Sequence, residues 1–354
     1  MPVKVGNIEI HMGPRQVGAP DDLLRPIVDF IDGAKRRLDV AVQELDSKEI
    51  AKAILRARAR KVSVRVVLEA DYLRANKATS DPWRSGGQHE VNREIQNAVL
   101  RTGINVWADF NPSIFHQKFM VRDGSAVLTG STNFTDTGTH NNLNHVVVIK
   151  DRKVANIYAK EFREIRQGHF GKLNEGHDRK PRRVEVSGVP IKVLFAPDHA
   201  PEMEIMKQMA KASERIDFAV FTFSRSSGID DQMVLVSGLS HPVAVRGVLD
   251  ARQANQKWAA TKLVRKAGIP IWLVKKQRNL GKLHHKLMVL DRQVIIAGSF
   301  NYTGPANLTN DENIIIIGDL EASTAAVRNK QKKLARYALD EIDRIIQDHG
   351  AKVA

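Results

Sequence analysis

Cysteine is absent from the 354 residues of this chain. Its absence excludes disulfide bonds, thiolate metal sites and cysteine nucleophiles. No apolar run approaches the roughly 20 residues that a membrane-spanning helix needs, and residues 1–7 lack the apolar core of a secretion signal. We therefore expect a globular protein that is located in the cytoplasm.

Positive charge is in excess. The chain has 55 lysines and arginines against 40 aspartates and glutamates, which gives a formal net charge of +15. Such an excess attracts polyanions, so we expect nucleic acid, either DNA or RNA, as the partner, with anionic phospholipid as the alternative. Binding alone would also explain the charge, and composition therefore leaves an enzyme and a binding module both open.

A motif occurs twice in the chain, at residues 116–133 and 284–301, without a gap in either copy. Both copies follow the pattern H-x-K-x4-D-x6-G-S-x-N. The chemistry-bearing residues are His116, Lys118, Asp123, Ser131 and Asn133 in the first copy and His284, Lys286, Asp291, Ser299 and Asn301 in the second. The sequence around the motif is also similar, as at residues 103–107 and 268–272, so each half is predicted to be one folding unit.

Short runs rich in β-branched residues alternate with helical patterns in both halves. This rhythm predicts an α/β fold in which helices cover the faces of a sheet, and about 150 residues per domain predicts two domains. We assign residues 1–168 to the first domain, 169–190 to a polar linker and 191–354 to the second domain. Apolar residues at helical spacing between 322 and 346 predict a C-terminal helix packed on the second domain.

The dipeptide Asp123-Gly124 is a strong signal for a two-residue hairpin turn. Pairing around this turn would place Ser131 opposite His116, and pairing around residues 291 and 292 would place Ser299 opposite His284. We therefore expect the serine and the asparagine of each motif beside the histidine of the same half.

Two imidazoles, two ammonium groups and two side-chain amides suit phosphodiester cleavage if the two halves bring them together. A neutral histidine attacks phosphorus, a protonated histidine donates to the leaving oxygen, and the lysines and amides stabilise charge on the phosphoryl oxygens. Fixed cations would then do the electrostatic work that a metal ion does elsewhere. We predict that no metal and no cofactor is required.

On its two motifs the chain resembles the phospholipase D superfamily, and within it a nuclease-like bacterial type. The resemblance covers most of the chain. It implies two similar domains, each a mixed β-sheet flanked by helices, related by a pseudo-twofold axis around one active site that a single chain completes. It further implies a phosphohistidine intermediate and supporting roles for Asp123 and Asp291. From their chemistry and position we assign catalytic roles to the histidines, lysines and asparagines of the motifs, and supporting roles to Ser131 and Ser299.

The two halves differ at one position, where Asn144 in the first corresponds to Glu312 in the second. Members of the superfamily often carry an acidic residue there that orients the histidine. A carboxylate raises the pKa of a histidine, whereas an amide orients the neutral ring without doing so. We therefore assign His116, supported by Asn144, as the nucleophile, and His284, with Glu312, as the general acid.

The motif itself does not distinguish a nuclease from a phospholipase or a phosphatidyltransferase, because all three share the phosphodiester step. Excess positive charge and the lack of an apolar anchor favour a nuclease that cleaves DNA or RNA. The alternatives are a phospholipase D or phosphatidyltransferase at an anionic membrane surface and an inactive nucleic-acid-binding module.

Overall fold

The structure is a computed structural model, and it describes residues 1–74, 81, 83, 85–174, 176 and 179–353. Within these residues the chain forms two mixed β-sheets, one in each half, with helices on their faces. This is the predicted α/β fold with two similar domains. In the described ranges, every helix is too short or too polar to cross a lipid bilayer.

The first sheet is built from the first half of the chain. Its strands are β1 Val3–Val5, β2 Ile8–Gly13, β3 Arg37–Val42, β4 Ser63–Glu69, β5 Asn105–Asp109, β6 Lys118–Arg122, β7 Ala126–Gly130 and β8 Asn142–Ile149. They lie in the order β1-β2-β8-β7-β6-β3-β4-β5. Strand β4 is parallel to both β3 and β5, while the other neighbours on this path are antiparallel.

The second sheet repeats this plan. Its strands are β9 Val184–Val186, β10 Val189–Ala196, β11 Arg215–Val220, β12 Ala244–Asp250, β13 Ile271–Val274, β15 Lys286–Leu290, β16 Val294–Gly298, β17 Glu312–Ile317 and β18 Gly350–Lys352. They lie in the order β18-β13-β12-β11-β15-β16-β17-β10-β9. The short strand β14, Lys282–Leu283, comes from the second half but pairs with β8 of the first sheet.

Helices connect and cover the strands. They are α1 Leu24–Asp32, α2 Lys48–Ala59, α3 Glu90–Arg101, α4 Asp136–His140, α5 Arg152–Arg166, α6 Pro201–Lys211, α7 Ile229–Ser237, α8 Ala251–Ala254, α9 Thr261–Lys266, α10 Gly304–Leu308 and α11 Ala325–His349. Side-chain caps set several of their starts. The carboxylate of Asp151 accepts the N–H groups of Lys153 and Val154 at the start of α5, and such caps satisfy backbone donors that the helix leaves free.

Helices α5 and α11 lie between the two sheets. The ring of Tyr158 in α5 packs against Phe119 of the first sheet and Phe195 of the second, with ring centroids 5.1 and 5.2 Å apart. Leu334 and Ile342 of α11 belong to the same apolar core. Two further cores lie under the outer helices, one for each domain. The core shared by both sheets fixes the two halves against each other.

The prediction that the C-terminal helix packs on the second domain is incomplete. Helix α11 also reaches the first domain, where the hydroxyl of Tyr337 hydrogen-bonds the carboxylate of Asp21. Nη1 of Arg344 donates to the carbonyl of Val17 at 3.4 Å. Helical periodicity identified the apolar face of this helix but carried no information on how many sheets would cover it.

The predicted hairpin register is wrong by one residue. Asp123 and Gly124 do form the turn, both with positive φ, and Ser125 N–H donates to the carbonyl of Arg122 at 3.0 Å. Strand pairing, however, joins Arg122 to Ala126. Ser125 is therefore an extra residue between the turn and β7, as in a β-bulge. The second hairpin shows the same shift, with Leu290 paired to Val294.

The predicted linker, residues 169–190, is partly folded into the second sheet. Strand β9 begins at Val184 and pairs with β10, which begins at Val189. The folded second half thus starts inside the predicted linker. A three-residue edge strand with one outward-facing charge, Glu185, carries too little apolar periodicity to stand out in the sequence.

The aspartate of each motif binds backbone amides at the start of a neighbouring strand. The carboxylate of Asp123 accepts the N–H groups of residues 35–37 at 2.7 to 3.0 Å. The carboxylate of Asp291 accepts those of residues 213–215 at 2.8 to 2.9 Å. Burial by itself would raise the pKa of Asp123, but the three N–H donors and the charge of Arg122 hold that pKa below its ordinary value.

We expect Asp123→Asn to lower the free energy of unfolding by about 1–3 kcal/mol at pH 7, because a neutral amide oxygen replaces a carboxylate that accepts three N–H groups. The folded carboxyl has the lower pKa, so its stabilisation is present above the pKa of the unfolded carboxyl. The stabilisation is lost as pH falls through the folded pKa.

Urea unfolding of the wild type and the variant at neutral and acidic pH measures both effects. Asp291→Asn is the matched variant in the second hairpin. Equal stability of Asp123→Asn and wild type at pH 7 would contradict the structural role of this carboxylate.

Candidate active site

The two motif histidines meet at the junction of the domains. The backbone N–H of His116 donates to the carbonyl of Asp311, and that of His284 donates to the carbonyl of Leu143, both at 2.9 Å. Each motif therefore begins with a backbone hydrogen bond to the opposite half. The two histidines are buried, with 7% and 4% of their residue surfaces exposed. The structure thus brings together the two histidines that the sequence placed in separate halves.

Each histidine is oriented from the opposite domain. Nδ1 of His116 lies 2.7 Å from the carboxylate of Glu312, and Nδ1 of His284 lies 2.9 Å from Oδ1 of Asn144. The prediction that Asn144 supports His116 and that Glu312 supports His284 is therefore wrong. The reason is the crossed docking, because β8 and β17 each begin beside the motif of the other half.

The motif serines support these orienting residues. The hydroxyl of Ser131 donates to Oδ1 of Asn144 at 2.8 Å, so it serves His284 and not His116, contrary to the prediction. A hydroxyl hydrogen bond from Ser299 lowers the pKa of Glu312 against the effect of burial. The serine of each half thus acts on the histidine of the other half.

The glycine that precedes each serine is required by close backbone approach. Gly130 and Gly298 have φ values of 152° and 146°. A Cβ atom on Gly130 would lie 2.2 Å from the carbonyl oxygen of His145, and one on Gly298 would lie 2.2 Å from that of Asn313. Only glycine fits at these two positions.

The motif lysines are held beside the histidines. Nζ of Lys118 donates to the carbonyl of His116 at 2.8 Å, and Nζ of Lys286 donates to the carbonyl of His284 at 2.9 Å. Both lysines are buried, and burial is the main cause that lowers their pKa, which for Lys118 falls to about 7. Lowered lysine pKa values favour the binding of an anion, because added negative charge restores the ammonium form.

The surroundings of the histidines favour their neutral form. Burial lowers the pKa of His116 and of His284 well below the ordinary value, and the charges of Lys118 and Lys286 lower both further. Burial also raises the pKa of Glu312 to about 8. Glu312 and His116 thus form a hydrogen-bonded pair, at 2.7 Å, in surroundings that disfavour charge on either group.

The hydrogen bonds of Asn144 assign the tautomer of His284. Nδ2 of Asn144 donates to the carbonyl of Gly138, and its Oδ1 accepts the hydroxyl of Ser131. Oδ1 is therefore an acceptor toward His284 as well, so Nδ1 of His284 carries the proton. Nε2 then has the free lone pair, which a proton-transfer catalyst needs.

The motif asparagines are partly buried at the junction. The side-chain oxygens of Asn133 and Asn301 have no hydrogen-bond partner among the described residues. A hydrogen bond from Asn133 acts on Glu44, while the backbone N–H of Asn301 binds Glu312. Asn301 thus joins the support of His116 from the opposite half.

Sequence reasoning missed three side chains at the site. Phe221 lies against His284, with ring centroids 4.9 Å apart. Nζ of Lys282 lies 5.0 Å from the centroid of the Phe221 ring. Gln43 accepts from Nζ of Lys118 at 3.3 Å. Alternation along the strand was a usable signal for Lys282, which stands two residues before His284 and so projects to the same side.

A second pair of contacts lies under the site and again crosses between the domains. Nδ1 of His285 is 3.1 Å from Nδ1 of His145, and the two rings are stacked. At the equivalent place, Nδ2 of Asn313 donates to Oε1 of Gln117 at 2.7 Å. Within the described ranges, no group of three or more histidine, aspartate or glutamate side chains is arranged to hold a metal ion.

Comparison with known families finds a match in each half of the chain. The family described as cardiolipin synthase, PLD-like domain, matches residues 27–166 and again residues 205–334. The two matched ranges contain both copies of the motif. This is the duplication that the sequence predicted.

Named relatives match over less than half of the chain. Mitochondrial cardiolipin hydrolase of Xenopus laevis is 30% identical over 169 residues, which cover 46% of this chain and 73% of the relative. Phospholipase D of Rickettsia conorii is 29% identical over 148 residues, which cover 41% of this chain and 70% of the relative. Phosphatidylserine synthase of Haemophilus influenzae shares the fold over 100% of this chain and 88% of its own, with a TM-score of 0.68 and 13% identity.

We expect the binding of inorganic phosphate at pH 8 to take up roughly one proton or more from solution. In the free site the pKa of Lys118 is about 7, so this lysine is mostly neutral at pH 8. A bound anion raises that pKa and the lysine becomes charged. Isothermal titration calorimetry in HEPES and in Tris, which differ in ionisation enthalpy, measures the number of protons.

The variant Lys118→Gln should show a smaller uptake, whereas the exposed Lys276→Gln should keep the wild-type value. Proton release, or binding without any proton exchange, would contradict the electrostatics described above.

Proposed function

This chain belongs to the PLD-like domain family of cardiolipin synthase, and we propose that it cleaves or exchanges phospholipid phosphodiesters through a phosphohistidine. Its fold and its relatives make it a phosphodiesterase of the phospholipase D superfamily. The observation that carries the proposal is the meeting of His116 and His284 at one junction, each held through Nδ1 by the opposite domain.

The proposed reaction has two steps. Nε2 of His116 attacks phosphorus, the bond from phosphorus to the leaving oxygen breaks, and His284 donates its proton to that oxygen. His284, now neutral, then takes a proton from water or an alcohol, whose oxygen displaces His116 from phosphorus. Lys118 and Lys286 stabilise charge on the phosphoryl oxygens in both steps.

We keep His116 as the nucleophile, but for a reason different from the one that the sequence suggested. Glu312 contacts His116 and not His284. The ring of the nucleophile becomes positively charged when its nitrogen bonds phosphorus, and the adjacent carboxylate stabilises that charge. Asn144 orients His284 without adding charge, so the protonated form of His284 depends on the negative charge that the substrate brings.

The names of the relatives support a phospholipid as the substrate, since they include a cardiolipin hydrolase and phospholipases D. Ile114, two residues before His116, is 43% exposed. It lines a cavity of about 530 Å³ whose other lining residues are mostly polar or charged, Gln43 and Arg74 among them. An apolar side chain beside a phosphate site can contact the glycerol and acyl portion of a lipid.

A nuclease that cleaves DNA or RNA is the second candidate. The observation that favours it is the net charge of +15, because the binding of a cationic protein releases counterions from nucleic-acid phosphates and is favoured by that release. An inactive binding module is the weakest alternative, since both histidines and both motif lysines are present at one junction. A cytoplasmic location remains a prediction.

The substrate is tested by offering three classes side by side in EDTA. The purified protein is incubated with phosphatidylcholine vesicles that contain cardiolipin, with labelled single- and double-stranded DNA, and with RNA. We expect phosphatidic acid or an exchanged phospholipid as the product, and His116→Ala as the control should form none. Nucleic-acid fragments without lipid products would replace our proposal by the nuclease. Activity that EDTA abolishes and magnesium restores would contradict the metal-independent mechanism.

The division of labour between the histidines is tested by trapping and by rescue. Acid-quenched wild-type enzyme should carry substrate phosphate on His116, as mapped by mass spectrometry. A substrate with a very good leaving group needs little proton donation, so bis(4-nitrophenyl) phosphate should rescue His284→Ala far more than His116→Ala. Phosphate trapped on His284, or selective rescue of His116→Ala, would reverse the assignment.

A further inference from the structure

Lys282 lies beside the active site and, among the described residues, has no hydrogen-bond acceptor for its ammonium group. Within the described ranges, its ammonium group forms no hydrogen bond and no ion pair. It lies over the ring of Phe221, with Nζ 5.0 Å from the centroid. Lys118 and Lys286, in contrast, each donate to a backbone carbonyl. A largely buried charge without an acceptor is costly unless a ligand supplies one.

Strand β14 fixes where Lys282 stands. Its pairing with β8 places Lys282 beside Asn142, and the N–H of Leu283 donates to the carboxylate of Asp250 at the end of β12. Arg252 follows that carboxylate in α8, is exposed, and has no side-chain partner among the described residues. Asp250 and Glu44 are near enough to interact with Lys282 electrostatically, but neither forms an ion pair with it. Lys282 and Arg252 interact electrostatically, so two cations that form no ion pair with any described residue lie together on the second-domain side.

The first-domain side has different chemistry at the equivalent positions. Ile114 stands two residues before His116, as Lys282 stands two residues before His284. Gln43 follows β3 as Phe221 follows β11, and Asp71 occupies the place of Arg252. The first domain thus presents apolar and acidic side chains, and the second presents basic and aromatic ones. The two substituents of a phosphodiester, its two arms, therefore meet different chemistry. Such a site holds its substrate in one orientation.

We propose that Lys282, with Arg252, binds a second phosphate group on one arm of the substrate and sets a preference for lipids that carry two phosphates. This inference rests on the proposed phospholipid function and names a substrate class within it. The scissile phosphate lies between the histidines with Lys118 and Lys286. The second phosphate contacts the ammonium group of Lys282, which lies over the ring of Phe221. The other arm lies beside Ile114.

Binding tests the proposal independently of activity. Glycerol 3-phosphate and 1,3-bisphosphoglycerol are titrated into the wild type, Lys282→Gln and Lys282→Arg by calorimetry. In the wild type the bisphosphate should bind about tenfold more tightly than the monophosphate, as a charged hydrogen bond provides. Lys282→Gln should lose this ratio and Lys282→Arg should retain most of it. The exposed Lys276→Gln removes the same charge and should keep the wild-type ratio.

Kinetics provide the second measurement. The ratio of kcat/KM for cardiolipin to kcat/KM for phosphatidylglycerol, both in phosphatidylcholine vesicles, should fall about tenfold in Lys282→Gln through KM. Equal losses of kcat on both lipids would overturn the proposal, because Lys282 would then act at the scissile phosphate. A ratio equal to that of wild type would overturn it as well.

The outcomes separate this inference from the proposed function. If the wild type cleaves neither lipid, the proposed function fails. If the wild type cleaves both lipids and Lys282→Gln keeps the wild-type ratios in binding and kinetics, only the second-phosphate site fails. A dependence on Lys282 that is seen with a 5′-phosphorylated dinucleotide and is absent with 1,3-bisphosphoglycerol would overturn the lipid class.

Discussion

Two backbone hydrogen bonds between the domains determine the rest of the active site. His116 donates to Asp311 and His284 donates to Leu143, both at 2.9 Å, so each motif begins on the opposite half. The start of β8 therefore lies beside His284, and the start of β17 lies beside His116. For this reason Asn144 and Glu312, with the serines that support them, orient the histidine of the opposite domain. A site built this way exists only while the two halves are docked.

The docking is held by a core that neither half completes alone. Tyr158 of α5 touches an aromatic ring of each sheet, and α11 contacts both domains. Helices packed between two sheets bury apolar surface on two sides and leave little freedom for one sheet to shift against the other. Such rigidity suits the proposed mechanism, in which attack on phosphorus and proton donation depend on the relative placement of two imidazoles.

The duplicated scaffold carries unequal side chains at equivalent places. Glu312 is equivalent in position to Asn144, and Lys282 is equivalent to Ile114. The pair of His145 and His285 is equivalent to a pair of side-chain amides. Burial is the main cause that lowers the pKa of the motif lysines and histidines, so the charged forms of these groups are unfavourable in the protein alone. The negative charge of a phosphate favours the charged forms again.

The sequence by itself determined the duplication, the α/β class, the candidate residues of the site and the structural place of Asp123 in a turn, because spacing and residue type are local properties. The hairpin register differed by one residue, since Ser125 is absorbed as a bulge that a turn signal does not reveal. The tertiary structure alone decided which residue orients which histidine. That choice depends on backbone pairing between residues far apart in the chain. Both halves carry the same motif, so the motif does not indicate whether a histidine is oriented by its own half or by the opposite half.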